Sequence, residues 1–193
     1  VQKYGKIQIV KKDAQSQKVV EKAGIKYDIY KTDGTKVSTI ESNEQGIAQS
    51  GLLLFGDYYY VETLAPEDYQ INSSQHPFTV NTSTNVQEFV DKEIVDDRVT
   101  GRSTLTKVID GDKVGNAKID GAVYGFYARE NILDPADGSV VYEKDEEIGQ
   151  YTIVNGTTTA EVDYLGKYYW KEIKPSEGCK VAGNLDVDLL YDN

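Results

Sequence analysis

Two glutamates occupy positions where the sequence pattern calls for an apolar residue. Glu62 ends the alternating segment 58–62, and Glu172 ends the segment 168–172; the two preceding positions on the same face of each segment are aromatic. Aromatic and β-branched residues favour β-strands, and strand residues two apart share a face. We therefore expect both glutamate side chains to point into an apolar interior.

Two lysines occupy similar places on another pair of predicted strands. Lys11 follows Ile7 and Ile9 at two-residue spacing, and Lys107 ends the matching segment 101–107 in the second half of the chain. Strand periodicity puts each lysine on the same face as the apolar residues before it. The sequence therefore predicts one inward lysine and one inward glutamate in each half of the chain.

An inward lysine beside an inward glutamate allows three interpretations. The pair can be a buried salt bridge, although the cost of desolvation offsets most of its attraction. Both residues can instead lie near an edge, where their charged ends reach water. The third interpretation is nucleophilic chemistry, because burial favours the neutral forms of amines and carboxyl groups and a neutral amine can attack a carboxyl carbon.

The elements that must position these residues form a tandem repeat. Segments 5–11, 24–30 and 56–63 return at 101–107, 121–127 and 166–173. The larger offset of the last pair predicts an insertion within 131–147. Since segment 92–100 is charged and lacks a core pattern, we place a boundary there and predict domains 1–94 and 95–193.

Short apolar segments separated by Gly, Asn and Pro predict many short strands, and no segment keeps a 3.6-residue period. The expected fold class is therefore all-β, a sandwich or barrel with little helix. His76, beside Pro77 in a predicted loop, has no partner pattern and is expected to face solvent.

Composition excludes several classes of function. The net charge of −11, with no Lys/Arg cluster, argues against a nucleic-acid partner. No apolar run is long enough for membrane insertion. The single cysteine, Cys179, rules out an intrachain disulfide and a cysteine-based zinc site. The sequence contains no complete calcium-binding loop, so we expect no metal and no cofactor.

The paired segments resemble a known family. Segment 5–13, with the pattern Gly-x-Ile-x-Ile-x-Lys-x-Asp, and segment 58–69, with Glu62 followed by Ala-Pro, resemble the collagen-adhesin B-type (CnaB, SpaA-like) domain. Segments 101–107 and 168–178 show the same motifs again. The resemblance implies two tandem Ig-like or prealbumin-like β-sandwich domains. It also implies a stalk or shaft module of a Gram-positive pilin or adhesin, extracellular and anchored to the cell wall.

Many domains of this family carry a spontaneous isopeptide bond between a lysine and an Asn or Asp. Applied to this sequence, the resemblance implies that Lys11 is the nucleophile and that Asp91 is the acceptor on the closing strand. It implies that Glu62 is the catalytic proton carrier and also polarises the acceptor carboxyl group. Phe89 and Asp91 share a face, so the carboxyl group can point inward. The outward-facing Lys12 should be dispensable. Each bond forms once, so the expected activity is self-cross-linking and not that of an enzyme.

The second repeat departs from this pattern. Lys107 and Glu172 match the nucleophile and the catalytic glutamate, but segment 184–193 resembles the penultimate strand of the family and not its closing strand. The acceptor then lies beyond residue 193, and the open edge could accept a strand in trans. Alternatively, Asn193 is the acceptor, because it continues the inward alternation of Val187, Leu189 and Tyr191.

The expected partners are neighbouring domains or pilin subunits of the same surface protein. A different class of function, an adhesive module that binds a host glycoprotein or glycan, would need a large apolar surface patch. A glycosidase would need two acids flanking an open groove, whereas Glu62 and Glu172 are predicted to lie buried in separate domains.

Overall fold

The computed structural model describes residues 1–91, 98–109 and 117–192. In those ranges the regular structure consists of β-strands, and the prediction of an all-β sandwich is confirmed. None of the described residues forms a helix long and apolar enough to cross a membrane. Within the same ranges, no group of three His, Cys, Asp or Glu side chains is arranged to hold a metal ion.

The chain divides into two compact units. Unit 1 comprises Val1–Val99 with Pro135–Asp137, and unit 2 comprises Thr100–Asp134 with Gly138–Asn193. The predicted boundary between residues 94 and 95 falls outside the described residues and stays a prediction.

The described residues of unit 1 form eight strands in two sheets. The strands are β1 (Tyr4–Lys11), β2 (Lys26–Lys31), β3 (Lys36–Glu41), β4 (Ile47–Gln49), β5 (Leu53–Leu54), β6 (Gly56–Leu64), β7 (His76–Val80) and β8 (Val86–Asp91). In one sheet β1 pairs with β4, β5 and β8, and the other has the order β3-β2-β6-β7. Inward side chains of both sheets form one core, as alternation in a sandwich requires.

Strand β1 is the centre of its sheet and brings the two ends of unit 1 together. It runs parallel to β8, with Lys11 directly opposite Asp91 in the register. Gly5 permits this arrangement, since a Cβ there would lie 2.2 Å from the carbonyl oxygen of Thr82, in the connection between β7 and β8. The closing strand therefore aligns its last residue with the last residue of the opening strand.

In unit 2, the part of the chain that the structure describes also forms eight strands. They are β9 (Gly101–Thr106), β10 (Val123–Ala128), β11 (Ile132–Leu133), β12 (Val140–Tyr142), β13 (Glu147–Thr152), β14 (Thr157–Val162), β15 (Gly166–Lys174) and β16 (Leu185–Leu189). The main sheet has the order β13-β10-β15-β16, β9 pairs with β14, and β11 pairs with β12 within the region of the predicted insertion. Within the described residues, β14 is the only strand that pairs with β9.

A buried ion pair connects Arg98 to Asp13 in the core of unit 1. Arg98 donates from Nη2 to Oδ1 of Asp13 at 3.0 Å and from Nε to Oδ2 at 3.1 Å, and Tyr69 donates its hydroxyl to Oδ2 at 2.9 Å. Burial alone would raise the pKa of Asp13, but the hydrogen bonds from Arg98, the Ser16 amide and Tyr69 outweigh it and lower the pKa to about 2.

We expect Arg98→Met to lower the free energy of unfolding by about 3–5 kcal/mol, because it leaves the buried Asp13 carboxylate without a cation. Asp13 itself contributes about 2 kcal/mol above pH 4, because its pKa is lower in the folded state; this contribution is lost as the pH falls towards 2. Urea unfolding at pH 7 and pH 3 measures both effects, and the difference between wild type and Arg98→Met should shrink at the lower pH.

The control for this prediction is Lys26→Met, which removes an exposed pair with Glu41 at 3.8 Å. Exposed pairs contribute about 0–1 kcal/mol, so this variant should unfold close to wild type. Equal urea midpoints for Arg98→Met and wild type would show that the buried pair does not stabilise unit 1.

Candidate functional site

The fold brings Lys11, Glu62 and Asp91 together inside unit 1. They come from β1, β6 and β8, and 1%, 1% and 3% of their surfaces are exposed. Lys11 Nζ lies 3.2 Å from Glu62 Oε1, 3.4 Å from Glu62 Oε2 and 3.9 Å from Asp91 Oδ2. One amine thus lies within 4 Å of two buried carboxyl groups.

Aromatic side chains surround these three polar groups. Tyr27 and Tyr60 pack edge to face at 5.6 Å, and the Lys11 amine lies 6.0 Å from the centre of the Tyr69 ring. All three tyrosines are buried. Electrostatic interactions are stronger in such an interior than in water, and uncompensated charge is costly there.

The electrostatics of the site bring the pKa of Glu62 close to neutral pH. Burial raises the pKa of Glu62 to about 7, even though the charge of Lys11 and the amide of Asn72 act in the opposite direction. Burial and the neighbouring Asp91 and Glu62 charges also raise the pKa of Tyr27, which therefore remains a hydrogen-bond donor. A carboxyl group that titrates near neutral pH can both accept and return a proton.

This arrangement can do one kind of chemistry directly. Lys11 Nζ lies 3.9 Å from Asp91 Oδ2, a separation that suits condensation of a neutral amine with that carboxyl group, and Glu62 is in contact with the amine that would lose a proton. Glu62 contacts Lys11 and the amide of Asn72, while the donors nearest Asp91 are Tyr27 and Asn72.

Sequence reasoning missed three residues at this site. Tyr27, Asn72 and His76 are all buried beside Asp91. The expectation that His76 faces solvent is wrong, because its ring stacks on Tyr60 with centroids 4.7 Å apart and its Nε2 lies 4.0 Å from Asp91 Oδ1. Alternation with Ile25 and Ile29 could have indicated that Tyr27 points inward. Asn72 lies in a loop and has no such signal.

The matching residues of unit 2 form an ordinary ion pair. Lys107 Nζ lies 2.7 Å from Glu172 Oε1 and 3.3 Å from the Tyr124 hydroxyl, and both charged residues are buried. Burial would lower the pKa of Lys107, but hydrogen bonds to Glu172 and Tyr124 outweigh it and raise that pKa. Burial would raise the pKa of Glu172, but hydrogen bonds from Lys107 and the Ala182 amide lower it. Both groups are therefore charged at neutral pH.

The proposed acceptor of unit 2, Asn193, lies outside the described residues, and its role stays a prediction. Strand β16 pairs with β15 as β7 pairs with β6, with Leu189 opposite Gly166 and Val80 opposite Gly56. It thus takes the place of the penultimate strand of unit 1. No described strand of unit 2 takes the place of β8.

Part of the chain matches a protein family. Residues 5–93 match the family described as SpaA, a prealbumin-like fold domain. Unit 1 is a SpaA-type domain. The matched range begins at the second residue of β1 and includes Lys11, Glu62 and Asp91. The resemblance expected from the sequence is thereby confirmed at the level of the family, while the second copy stays a prediction.

One solved structure agrees with this fold, and two further matches are more distant. The Bacillus anthracis TIE protein matches with a TM-score of 0.68 and 21% identity, over 98% of this chain and 32% of that one. The chain thus spans about a third of the TIE protein. BcpA, the major pilin subunit of Bacillus cereus, matches with a TM-score of 0.41 and 14% identity, over 96% of this chain and 95% of that one.

The shaft pilin SpaA from Lactobacillus rhamnosus GG matches with a TM-score of 0.41 and 13% identity, over 98% of this chain and 95% of that one. A comparison with curated proteins found no match. The identity is low, so the likeness to the TIE protein shows the fold alone.

Proposed function

We propose that the chain is a structural stalk module of a Gram-positive surface pilin or adhesin, and that unit 1 is stabilised by an isopeptide bond between Lys11 and Asp91. The observation that supports this best is the Lys11 amine, held in a dry interior within 4 Å of both Glu62 and Asp91. Membership of unit 1 in the SpaA-type family agrees with this role.

The bond forms by condensation inside the folded domain. The lone pair of neutral Lys11 Nζ attacks Asp91 Cγ, and the electron pair of the carbonyl bond moves onto oxygen. That pair returns as the other C–O bond breaks. Glu62 takes one proton from the nitrogen and passes it to the departing hydroxyl, which leaves as water. The reaction consumes no cofactor and occurs once per domain.

The position of the bond suits a load-bearing module. Strands β1 and β8 are the first and last strands among the described residues of unit 1, and they lie side by side in parallel. A covalent link between Lys11 and Asp91 would carry a force applied at the two ends directly from one strand to the other. The 80 residues that follow Lys11, up to Asp91, would then be protected from extension.

The wider setting follows from the same proposal. The module would act outside the cell as part of a cell-wall-anchored protein, with neighbouring domains or pilin subunits as partners. In unit 2, the side of β9 opposite β14 would receive a closing strand, either from the same protein or in trans. A mass loss of about 17 Da mapped to Lys107 and Asn193 would instead assign Asn193 as the acceptor.

Single-molecule pulling tests the stalk function. We expect the wild-type unit 1 to extend only by the residues outside the link. The Asp91→Ala variant should extend by roughly a further 260–290 Å, because about 3.3–3.6 Å per residue is released. Lys12→Ala is the matched control and should behave as wild type. Full extension of the wild-type unit would rule out a load-bearing link.

A further inference from the structure

Each oxygen of the Asp91 carboxyl group faces a buried hydrogen-bond donor. The Tyr27 hydroxyl donates to Oδ2 at 3.3 Å, and Nδ2 of Asn72 donates to Oδ1 at 3.5 Å. Of the surfaces of Tyr27 and Asn72, 1% and 4% are exposed. Both hydrogen bonds are long, as is common before a reaction tightens the geometry of a site.

The amide of Asn72 is held in one orientation by three contacts. Its Oδ1 accepts a hydrogen bond from the Ser74 amide at 3.0 Å, so its Nδ2 must face His76 and Asp91. Nδ2 lies 2.9 Å from His76 Nε2, which therefore accepts one of its two protons. The second proton of Nδ2 points to Asp91. Because His76 stacks on Tyr60, its acceptor nitrogen is fixed in turn.

Comparison of the two units distinguishes the contact that the backbone of Asn72 makes with Glu62 from the contact that its side chain makes with Asp91. In unit 1 the backbone amide of Asn72 donates to Glu62 Oε2 at 2.6 Å, and in unit 2 the backbone amide of Ala182 donates to Glu172 Oε2 at 2.5 Å. Holding the glutamate therefore requires only a backbone amide. The side-chain amide of Asn72 is an addition in unit 1, where it is directed to Asp91.

We propose that Tyr27 and Asn72 activate the Asp91 carboxyl group as a pair of hydrogen-bond donors, one at each oxygen, and that His76 positions Asn72. This inference rests on the proposed isopeptide bond. When Lys11 Nζ attacks Asp91 Cγ, negative charge develops on one oxygen and the other leaves as water. Donors already aimed at both oxygens stabilise that charge at no cost of reorganisation. Glu62 then accepts the proton from the Lys11 amine, whereas Tyr27 and Asn72 activate the Asp91 carboxyl group.

The rate of bond formation tests the inference. Wild-type chain and variants are made by cell-free translation, sampled over time into acidic denaturant, and scored for the linked fraction by gel mobility and intact mass. We expect Tyr27→Phe and Asn72→Ala each to slow linking by roughly 10²-fold. His76→Phe, which keeps the ring stacking, should slow it less, and His76→Gln, which restores an acceptor, should recover the rate.

The outcomes distinguish this inference from the proposed function. Linking of Tyr27→Phe and Asn72→Ala at the wild-type rate, with Glu62→Gln unlinked, would overturn the donor pair and leave the bond itself established. A wild-type chain that never loses water would overturn both. If Asn72→Ala does not fold, as judged by the absence of a cooperative thermal transition, the isosteric Tyr27→Phe decides. Recovery of the rate in His76→Gln but not in His76→Phe supports positioning over general packing.

Discussion

Glu62→Gln is expected to leave Lys11 and Asp91 unlinked. Glutamine keeps the size of the side chain and its contact with the Asn72 amide, but it cannot take a proton from the Lys11 amine. Loss of a positioned general base slows a reaction by roughly 10²–10⁴-fold. Intact-mass spectrometry of freshly made protein should show the full sequence mass for this variant and a mass lower by about one water, ~18 Da, for wild type.

The repeat provides a matched control for this variant. Glu172→Gln makes the same change at the corresponding position of unit 2, where the structure shows an ion pair with Lys107. It should leave the mass loss of unit 1 unchanged. If Glu62→Gln instead lost water as fast as wild type, Glu62 would have no role as proton carrier and the assignment of the site would be wrong.

Asp91→Ala is expected to cause a large loss of thermal stability in unit 1. The bond would close a loop of 80 residues. By analogy with disulfides, such a loop removes about 4–5 kcal/mol of unfolded-state entropy. For a domain of this size that corresponds to a fall in Tm of roughly 20–30 °C, measured by calorimetry. The variant retains the Lys11–Glu62 contact, so it leaves no buried amine without a partner.

Two further variants distinguish the effect of the covalent bond on Tm from the effect of the Asp91 side chain itself. Asp91→Asn keeps the shape of the acceptor and can still react, with loss of ammonia (~17 Da) in place of water, so its Tm should stay near that of wild type. Glu62→Gln keeps Asp91 but blocks the reaction, so its Tm should fall as in Asp91→Ala. Equal Tm values for Glu62→Gln and wild type would show that no covalent link contributes to stability.

The sequence was sufficient to predict two of the site residues that lie on strands. Inward Lys11 and Glu62 follow from strict two-residue alternation with apolar neighbours, because a strand has only two faces. Asp91 needed both alternation with Phe89 and the resemblance to the family. The parallel register that sets Lys11 opposite Asp91 depends on how the first and last strands of unit 1 meet, which no local pattern specifies.

The residues that sequence reasoning missed are positioned by tertiary structure. Asn72 reaches Asp91 from the connection between β6 and β7, and a loop has no periodicity that indicates which side chains turn inward. His76 begins β7 and alternates with the buried Phe78 and Val80, so its inward direction had a signal, but its contact with Asp91 had none. The pairing of Arg98 is also set by tertiary structure. It pairs with Asp13 across 85 positions in the sequence, and nothing in its neighbourhood distinguishes it from an exposed arginine.

The central claim is that Lys11 and Asp91 of unit 1 are joined by an amide bond. Intact-mass spectrometry of the wild-type chain, followed by proteolysis and peptide sequencing, tests it most directly. We predict a mass about 18 Da below that of the sequence and one branched peptide that contains both Lys11 and Asp91. A full sequence mass, with the two residues recovered in separate linear peptides, would contradict the claim.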